Sequence, residues 1–322
     1  MKKLTEFMPR TKTNTPNESF WVSSLRIVSV LSLLALLVAL LAGAMTPFIH
    51  STSTNLQEGH YRMNSVIAWV GGKRLLRKTI IERIPKHNIY CEPFGGAAWV
   101  LFGKSPKEED WSPGGKQGYR EVYNDLNGDL VNFWRYIQRH PAAFATELDR
   151  LLSSREIFGE FLQSRPTTDL ERAAQFYYRV ACSFGSMGTT FAVRGHSSAL
   201  PLRDPERIAK ATERLRNVII ENQDFRRLIP HYDRSYTFFY LDPPYYSCEG
   251  FYARDGVEAF REHEALAATL GKVQGKWLLS YNDDPFIRSL YADYRIEEVT
   301  TSYSLSGSNK RKTELLISNY EV

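Results

Sequence analysis

The chain has 322 residues, of which 43% are hydrophobic, 24% charged and 13% aromatic, with a formal net charge of +5. So large an apolar share with so little net charge excludes a disordered chain and fits a globular protein of one large domain or two small ones. The three cysteines, Cys91, Cys182 and Cys248, lie far apart with no CxxC or metal-ligand spacing, so a disulfide scaffold is excluded and each reads as a small buried hydrophobe in a reducing compartment.

The first 62 residues differ from the rest. They hold six Lys or Arg against three Glu, which leaves residues 63–322 only +2 overall. Nucleic acid, if it is met, must therefore be met through local basic patches. Residues 27–45 (IVSVLSLLALLVALLAGAM) run for nineteen positions without a charge. As a helix rising about 1.5 Å per residue, they nearly match a hydrocarbon core of about 30 Å. The segment reads as a transmembrane anchor, as a signal peptide with Ala42-Gly43-Ala44 at the cleavage site, or as sequence ahead of a true start at Met63. Counting positive charges favours a cytoplasmic N-terminus.

From residue 63 onward the pattern is α/β. Short apolar runs predict strands over 88–91, 121–123, 218–220, 237–241, 277–281, 294–299 and 314–318. Helical periodicity falls at 75–83, 130–139, 170–183, 205–216 and 257–270. Strands alternating with helices predict a mostly parallel sheet covered on both faces. Between about 134 and 216 helix follows helix with no convincing strand, which reads as a helical insertion. Residues 105–118 read as a polar loop.

Ligands of an open parallel sheet bind outside the carboxyl ends of its strands, and four features lie there or just before the first strand. Trp69-Val70-Gly71-Gly72-Lys73 precedes the first helix; its ring and ammonium suit a cofactor, or it is a surface turn. Glu92-Pro93-Phe94-Gly95-Gly96-Ala97-Ala98 follows the strand at 88–91 and leads into a helix starting near Ala97. Its glycines allow close backbone approach to a ligand, though taken alone such a Gly-Gly turn is more often structural. Asn124-Asp125-Leu126-Asn127 ends the second strand, where Asp125 can accept ribose hydroxyls and Asn127 can cap the next helix.

Asp242-Pro243-Pro244-Tyr245 is the strongest local signal. Two prolines stop the ladder and stiffen the turn. One carboxylate, one carbonyl and one aromatic face are thereby aimed into the same space. A planar amine needs that set: two acceptors for its N–H bonds and a ring to stack upon.

Together WVGGK (69–73), EPFGGAA (92–98), NDLNGDLVNFW (124–134), DPPYY (242–246) and the terminal ELLISNY (314–320) resemble Dam-type adenine-N6 DNA methyltransferases over roughly residues 63–322. The resemblance implies a Rossmann-like, S-adenosylmethionine-dependent methyltransferase sheet with a small helical target-recognition domain inserted. Its boundaries would be an extension over 1–62, a cofactor half over 63–134, the insertion over 135–216 and a catalytic half over 217–322. S-adenosylmethionine would be held by Trp69, Lys73, Asp125 and Asp242, with Phe94 and Gly96 as wall and floor. Many family members carry glycine where this chain has Ala98, and the methyl is expected to be tolerated at a helix start.

The implied reaction is in-line methyl transfer to the N6 amine of an adenine flipped out of duplex DNA. Asp242 and the Pro243 carbonyl would orient the amine and Tyr245 would stack on the base, with no metal needed. Arg179 and Arg194, in the segment 178–194, would contact DNA. So would Lys310 and Arg311 in the run 308–312, with Arg74, Arg77 and Lys78 as further backbone contacts. The resemblance implies a monomer whose catalytic domain faces the cytoplasm, where cofactor and DNA are, and the type also occurs in restriction-modification systems. The same turn serves cytosine-N4 methylation, while Asp at 242 rather than Asn argues against a protein glutamine substrate. An inactive DNA-binding remnant is the non-enzymatic alternative, and the intact Lys73, Asp125, Asp242 and Tyr245 argue against it.

Overall fold

The computed structural model describes residues 63–106, 118–192, 204–248, 258–303 and 310–321. The apolar segment 27–45, Arg194 and most of the polar loop 105–118 lie outside the described residues. Among the described residues no helix is long and apolar enough to cross a membrane.

A sheet of seven strands organises the described residues. The strands are β1 (Ile89–Glu92), β2 (Arg120–Asn124), β3 (Val218–Glu221), β4 (Thr237–Leu241), β5 (Lys276–Asn282), β6 (Arg295–Tyr303) and β7 (Lys310–Ser318). Their spatial order is β3-β2-β1-β4-β5-β7-β6. The first five strands pair in parallel, whereas β7 runs antiparallel to both β5 and β6. Every predicted strand is present. Those at the centre are apolar on both faces, since helices cover both: β4 (TFFYL) is buried at every position.

The helices are α1 (Arg77–Ile81), α2 (Trp99–Gly103), α3 (Gly128–Arg139), α4 (Pro141–Asp149), α5 (Arg155–Gln163), α6 (Asp169–Ala181), α7 (Pro205–Leu215), α8 (Phe225–Tyr232), α9 (His263–Leu270) and α10 (Pro285–Leu290). Their starts follow local chemistry. The Asn127 side chain accepts from the backbone N–H groups of Asp129 and Leu130 to begin α3, and Thr168 with Glu171 forms a capping box on α6. The expected helix over 257–270 starts only at His263, because residues 258–262 run as irregular chain.

Among the described residues between about 134 and 216 there is no strand, the chain running from within α3 through α7 with one isolated bridge between Ser183 and Phe191. The helical block shares one continuous apolar cluster with the sheet: Phe133, Phe144, Phe176 and Tyr177 pack in the same core as Tyr90, Tyr123 and Phe238. Phe133 stacks on Tyr177 at 5.7 Å with the planes 6° apart. A second cluster around Phe239, Leu279, Trp277 and Tyr291 fills the other face of the sheet. Cys91 and Cys182 are buried as expected, and Cys248 is half-buried.

Ala98 departs from the expected helix start. It holds φ 54° and ψ 36° and is almost wholly buried. An alanine in this left-handed region carries strain of about 1–2 kcal/mol, which methyl burial worth about 0.8 kcal/mol offsets in part. The methyl is accommodated, but in a conformation that glycine adopts more easily.

Candidate active site

The order of strands fixes where a site can form. From β1 the chain moves outward to β2 and β3, then returns to the other side of β1 as β4. The reversal opens a crevice beyond the carboxyl ends of β1 and β4. Glu92-Pro93-Phe94 leaves β1 there and Asp242-Pro243 leaves β4. A cavity of about 700 Å³ occupies the place, and its lining includes Trp69, Lys73, Phe94, Gly96, Asp125 and Asp242. All six residues expected to hold a cofactor are therefore gathered on one wall system.

Backbone closeness makes this possible. Asp125 accepts from the Gly96 N–H at 2.9 Å and from the Asn127 N–H at 2.8 Å, tying the turn after β1 to the turn after β2. The Gly96 carbonyl accepts from the Tyr123 hydroxyl at 2.8 Å and the Trp134 indole at 3.2 Å. Gly96 holds φ 50°. At Gly95 an added methyl would lie 2.2 Å from the buried Tyr123 ring. Because that ring is anchored by its hydroxyl, Gly95→Ala is expected to cost roughly 1–3 kcal/mol or more by overpacking, read as a lowered melting temperature. An unchanged melt would show that the turn has slack.

At the β4 end, Lys73 is only 4% exposed and its ammonium lies 2.7 Å from Asp242 Oδ1, where Asp242 is 19% exposed. The ammonium also donates to the Gly71 carbonyl at 3.0 Å. Ser280 donates to the same Asp242 oxygen at 2.9 Å. Burial raises the proton affinity of Asp242 above the ordinary carboxylate range, and the charge of Lys73 opposes that rise. Tyr245 stands beside the cavity: its ring lies under the Lys73 ammonium at 4.6 Å and its hydroxyl donates to Glu314 at 2.5 Å. Burial, then the negative charges of Asp242 and Glu314, hold the phenol well above its usual range, so it stays protonated.

Sequence reasoning missed part of the wall. Phe225, Arg226, Phe260 and Glu262 line the cavity too. Phe94, Phe225 and Phe260 form an aromatic cluster, with Phe94 5.7 Å from Phe225 and 5.6 Å edge-on to Phe260. The rule that led to Asp125 and Asp242 would also have found Phe225, which follows the end of β3. Buried Glu92 is likewise on the wall. Burial lifts its carboxyl to about 8 against the opposing hydrogen bond from Tyr90, which donates at 2.5 Å.

The expected DNA contacts divide. Arg74 and Lys78 are exposed. Arg77 instead donates to the Met63 carbonyl at 3.3 Å and lies over the Trp99 ring. Arg179 is half-buried and donates to the Gly188 carbonyl at 3.4 Å, bracing the turn that carries the 67% exposed Phe184. Lys310 and Arg311 open β7.

Comparison with known proteins decides what this crevice belongs to. The profile of the D12 class N6 adenine-specific DNA methyltransferases matches residues 69–305. The chain belongs to that family. It is similar to the type II methyltransferase M1.LlaDCHI of Lactococcus lactis subsp. cremoris, with 26% identity over 82% of this chain and 98% of the relative. It is also similar to the type II methyltransferase M.CviBI of Paramecium bursaria Chlorella virus NC1A, with 26% identity over 80% of this chain and all of the relative. A DNA N-6-adenine-methyltransferase of Escherichia phage P1 is 27% identical over 75% of this chain and a third of the relative. The chain is thus an adenine-specific DNA methyltransferase, and the Asp-Pro-Pro-Tyr turn of this adenine methyltransferase lies within the matched region.

Proposed function

We propose that this adenine methyltransferase draws its methyl group from S-adenosylmethionine held in the crevice, and that Asp242, Pro243 and Tyr245 present the N6 amine of a flipped adenine. The residues fit such a donor in kind. Phe94, Phe225 and Phe260 offer an aromatic slot, Asp125 a carboxylate for ribose hydroxyls, and Gly96 an open floor. Lys73, Asp242 and Glu314 together carry a single net negative charge, which suits a cationic donor. When bound, the donor supplies an electrophilic methyl on its sulfonium.

The observation that carries this reading is the one-sidedness of Asp242. Lys73 and Ser280 both engage Oδ1, so Oδ2 is the oxygen placed to accept an amine N–H. The Pro243 carbonyl takes the second N–H, which fixes the plane of the amine. Positioning of this kind is worth roughly 7–11 kcal/mol in well-oriented systems. The proton shed by the nitrogen as it gains the methyl passes to Asp242, whose proton affinity burial has raised. On the DNA side, Arg74, Lys78, Arg194, Lys310 and Arg311 supply phosphate or base-edge contacts, while Arg179 serves through the turn it braces.

Calorimetric titration with S-adenosylmethionine tests the donor site without any turnover. Asp125→Asn, which keeps one acceptor oxygen, is expected to weaken binding roughly tenfold, the equivalent of one charged hydrogen bond of about 1.5 kcal/mol. Native affinity in that variant would remove Asp125 from the site.

A further inference from the structure

Beyond its share of the net charge of the site, Glu314 touches neither donor nor amine in the proposed reaction, yet it is only 2% exposed. It lies opposite Asn282 in the β5–β7 pairing and heads the apolar run Leu315-Leu316-Ile317. Its carboxylate accepts the Tyr245 hydroxyl at 2.5 Å and lies 4.0 Å from the Lys73 ammonium. A buried carboxylate is costly unless charge and hydrogen bonds repay it. Here both partners belong to the methyl-transfer site.

We propose that Glu314 is a positioning residue: it sets the plane of the Tyr245 ring through the hydroxyl and gives Lys73 a second anion, so that Asp242 can turn to the amine without stranding a buried ammonium. Lys73 has little access to water and three oxygen neighbours, Asp242, Gly71 and Glu314. When the amine engages Asp242, the ammonium shifts its share of charge toward Glu314. The inference rests on the assignment of Asp242 and Tyr245 above. The charged and titratable groups facing Asp242 are Lys73 ahead of α1, Glu314 on β7, Tyr240 on its own strand and Tyr245 just after it.

The test is steady-state methylation of mixed-sequence duplex DNA by the full-length chain with labelled S-adenosylmethionine, across pH. Glu314→Gln keeps an acceptor for the Tyr245 hydroxyl but removes the charge. It is expected to lower kcat roughly tenfold to a hundredfold, as misplacement within a site does. Because the negative charge of Glu314 raises the proton affinity of Asp242, its removal should also move the acid limb of the kcat profile to lower pH. A loss of mere structural support would leave that limb in place. Tyr245→Phe, which keeps the ring and removes the hydroxyl that Glu314 holds, should lose roughly tenfold.

Native kcat in Glu314→Gln or an unmoved acid limb would each overturn the proposal. Should Glu314→Gln fail to fold, Tyr245→Phe decides alone: a roughly tenfold loss supports the link and native kcat refutes it. Asp242→Asn separates the two levels. If it retains turnover, the reading of the site fails; if it is inactive while Glu314→Gln is normal, only the role of Glu314 falls.

Discussion

Asp242→Ala should abolish methyl transfer, with kcat reduced on the order of 10³-fold or more, while the protein stays folded. In the proposed role the carboxylate orients the amine and receives its proton, so two contributions should vanish together. A single preorganised polar contact in a transition state is commonly worth about 10²–10³ in rate. The fold should survive because Lys73 keeps the Gly71 carbonyl at 3.0 Å and Glu314 at 4.0 Å as partners, although breaking a buried pair is never free. Asp242→Asn, which leaves no hole, should lose activity to a similar degree. Methylation assays paired with thermal melts check both statements. A folded Asp242→Ala protein that still turned over at a tenth of the native rate would contradict the assigned role.

The largest expected effect on stability lies elsewhere, where the helical block meets the sheet. Arg214 of α7 is fully buried and donates to both oxygens of Glu121 on β2, at 2.5 and 2.8 Å. It also donates to the Leu101 carbonyl of α2 at 2.6 Å. Lys104 approaches the same carboxylate at 3.0 Å, itself 1% exposed, and bonds the Tyr119 hydroxyl. One acid with two cations thus joins two helices and a strand.

Removing one member of a buried pair strands the others and typically costs about 3–5 kcal/mol. Arg214→Met should therefore lower the melting temperature by about 10 °C for a unit of this size. A shift under about 2 °C would mean that water or rearrangement satisfies Glu121. Burial alone would raise the Glu121 carboxyl, but Lys104 and Arg214 more than offset it and hold it below the ordinary range. The stabilisation is accordingly complete above the ordinary carboxylate range and is lost as pH falls through the depressed folded value. Arg214→Met should abolish that part of the acid sensitivity.

Much of this architecture was legible in the sequence because parallel, doubly covered strands announce themselves as short apolar runs and their ends as breaks. Asp125 stood out by its place one residue beyond β2, and Asp242, one residue beyond β4, by the two prolines and the tyrosine that follow it. The order of the strands was not legible, since no local pattern says that β4 returns beside β1 or that β7 slots in reversed between β5 and β6. Side-chain closures across long separations were equally hidden. Tyr245 and Glu314 are 69 residues apart, and nothing near either names the other, although an acid at the head of the apolar run Leu315-Leu316-Ile317 is a signal. Phe260 sits in irregular chain where the helical periodicity over 257–270 predicts a helix, so its place on the cavity wall was hidden. Arg179 reads as a DNA contact from the family resemblance, whereas in the structure it donates to the Gly188 carbonyl. At Ala98 the motif was visible while its left-handed backbone was not, because alanine seldom signals one.

The activity proposed for this crevice is methylation of adenine N6 through the Asp242 turn. It is tested most directly by incubating the purified full-length chain with methyl-labelled S-adenosylmethionine and mixed-sequence duplex DNA, digesting the product and identifying the labelled nucleoside by mass. Label on N6-methyladenine, lost in Asp242→Ala, is the predicted result. Label on N4-methylcytosine, or none from a folded protein that binds the donor, would contradict it.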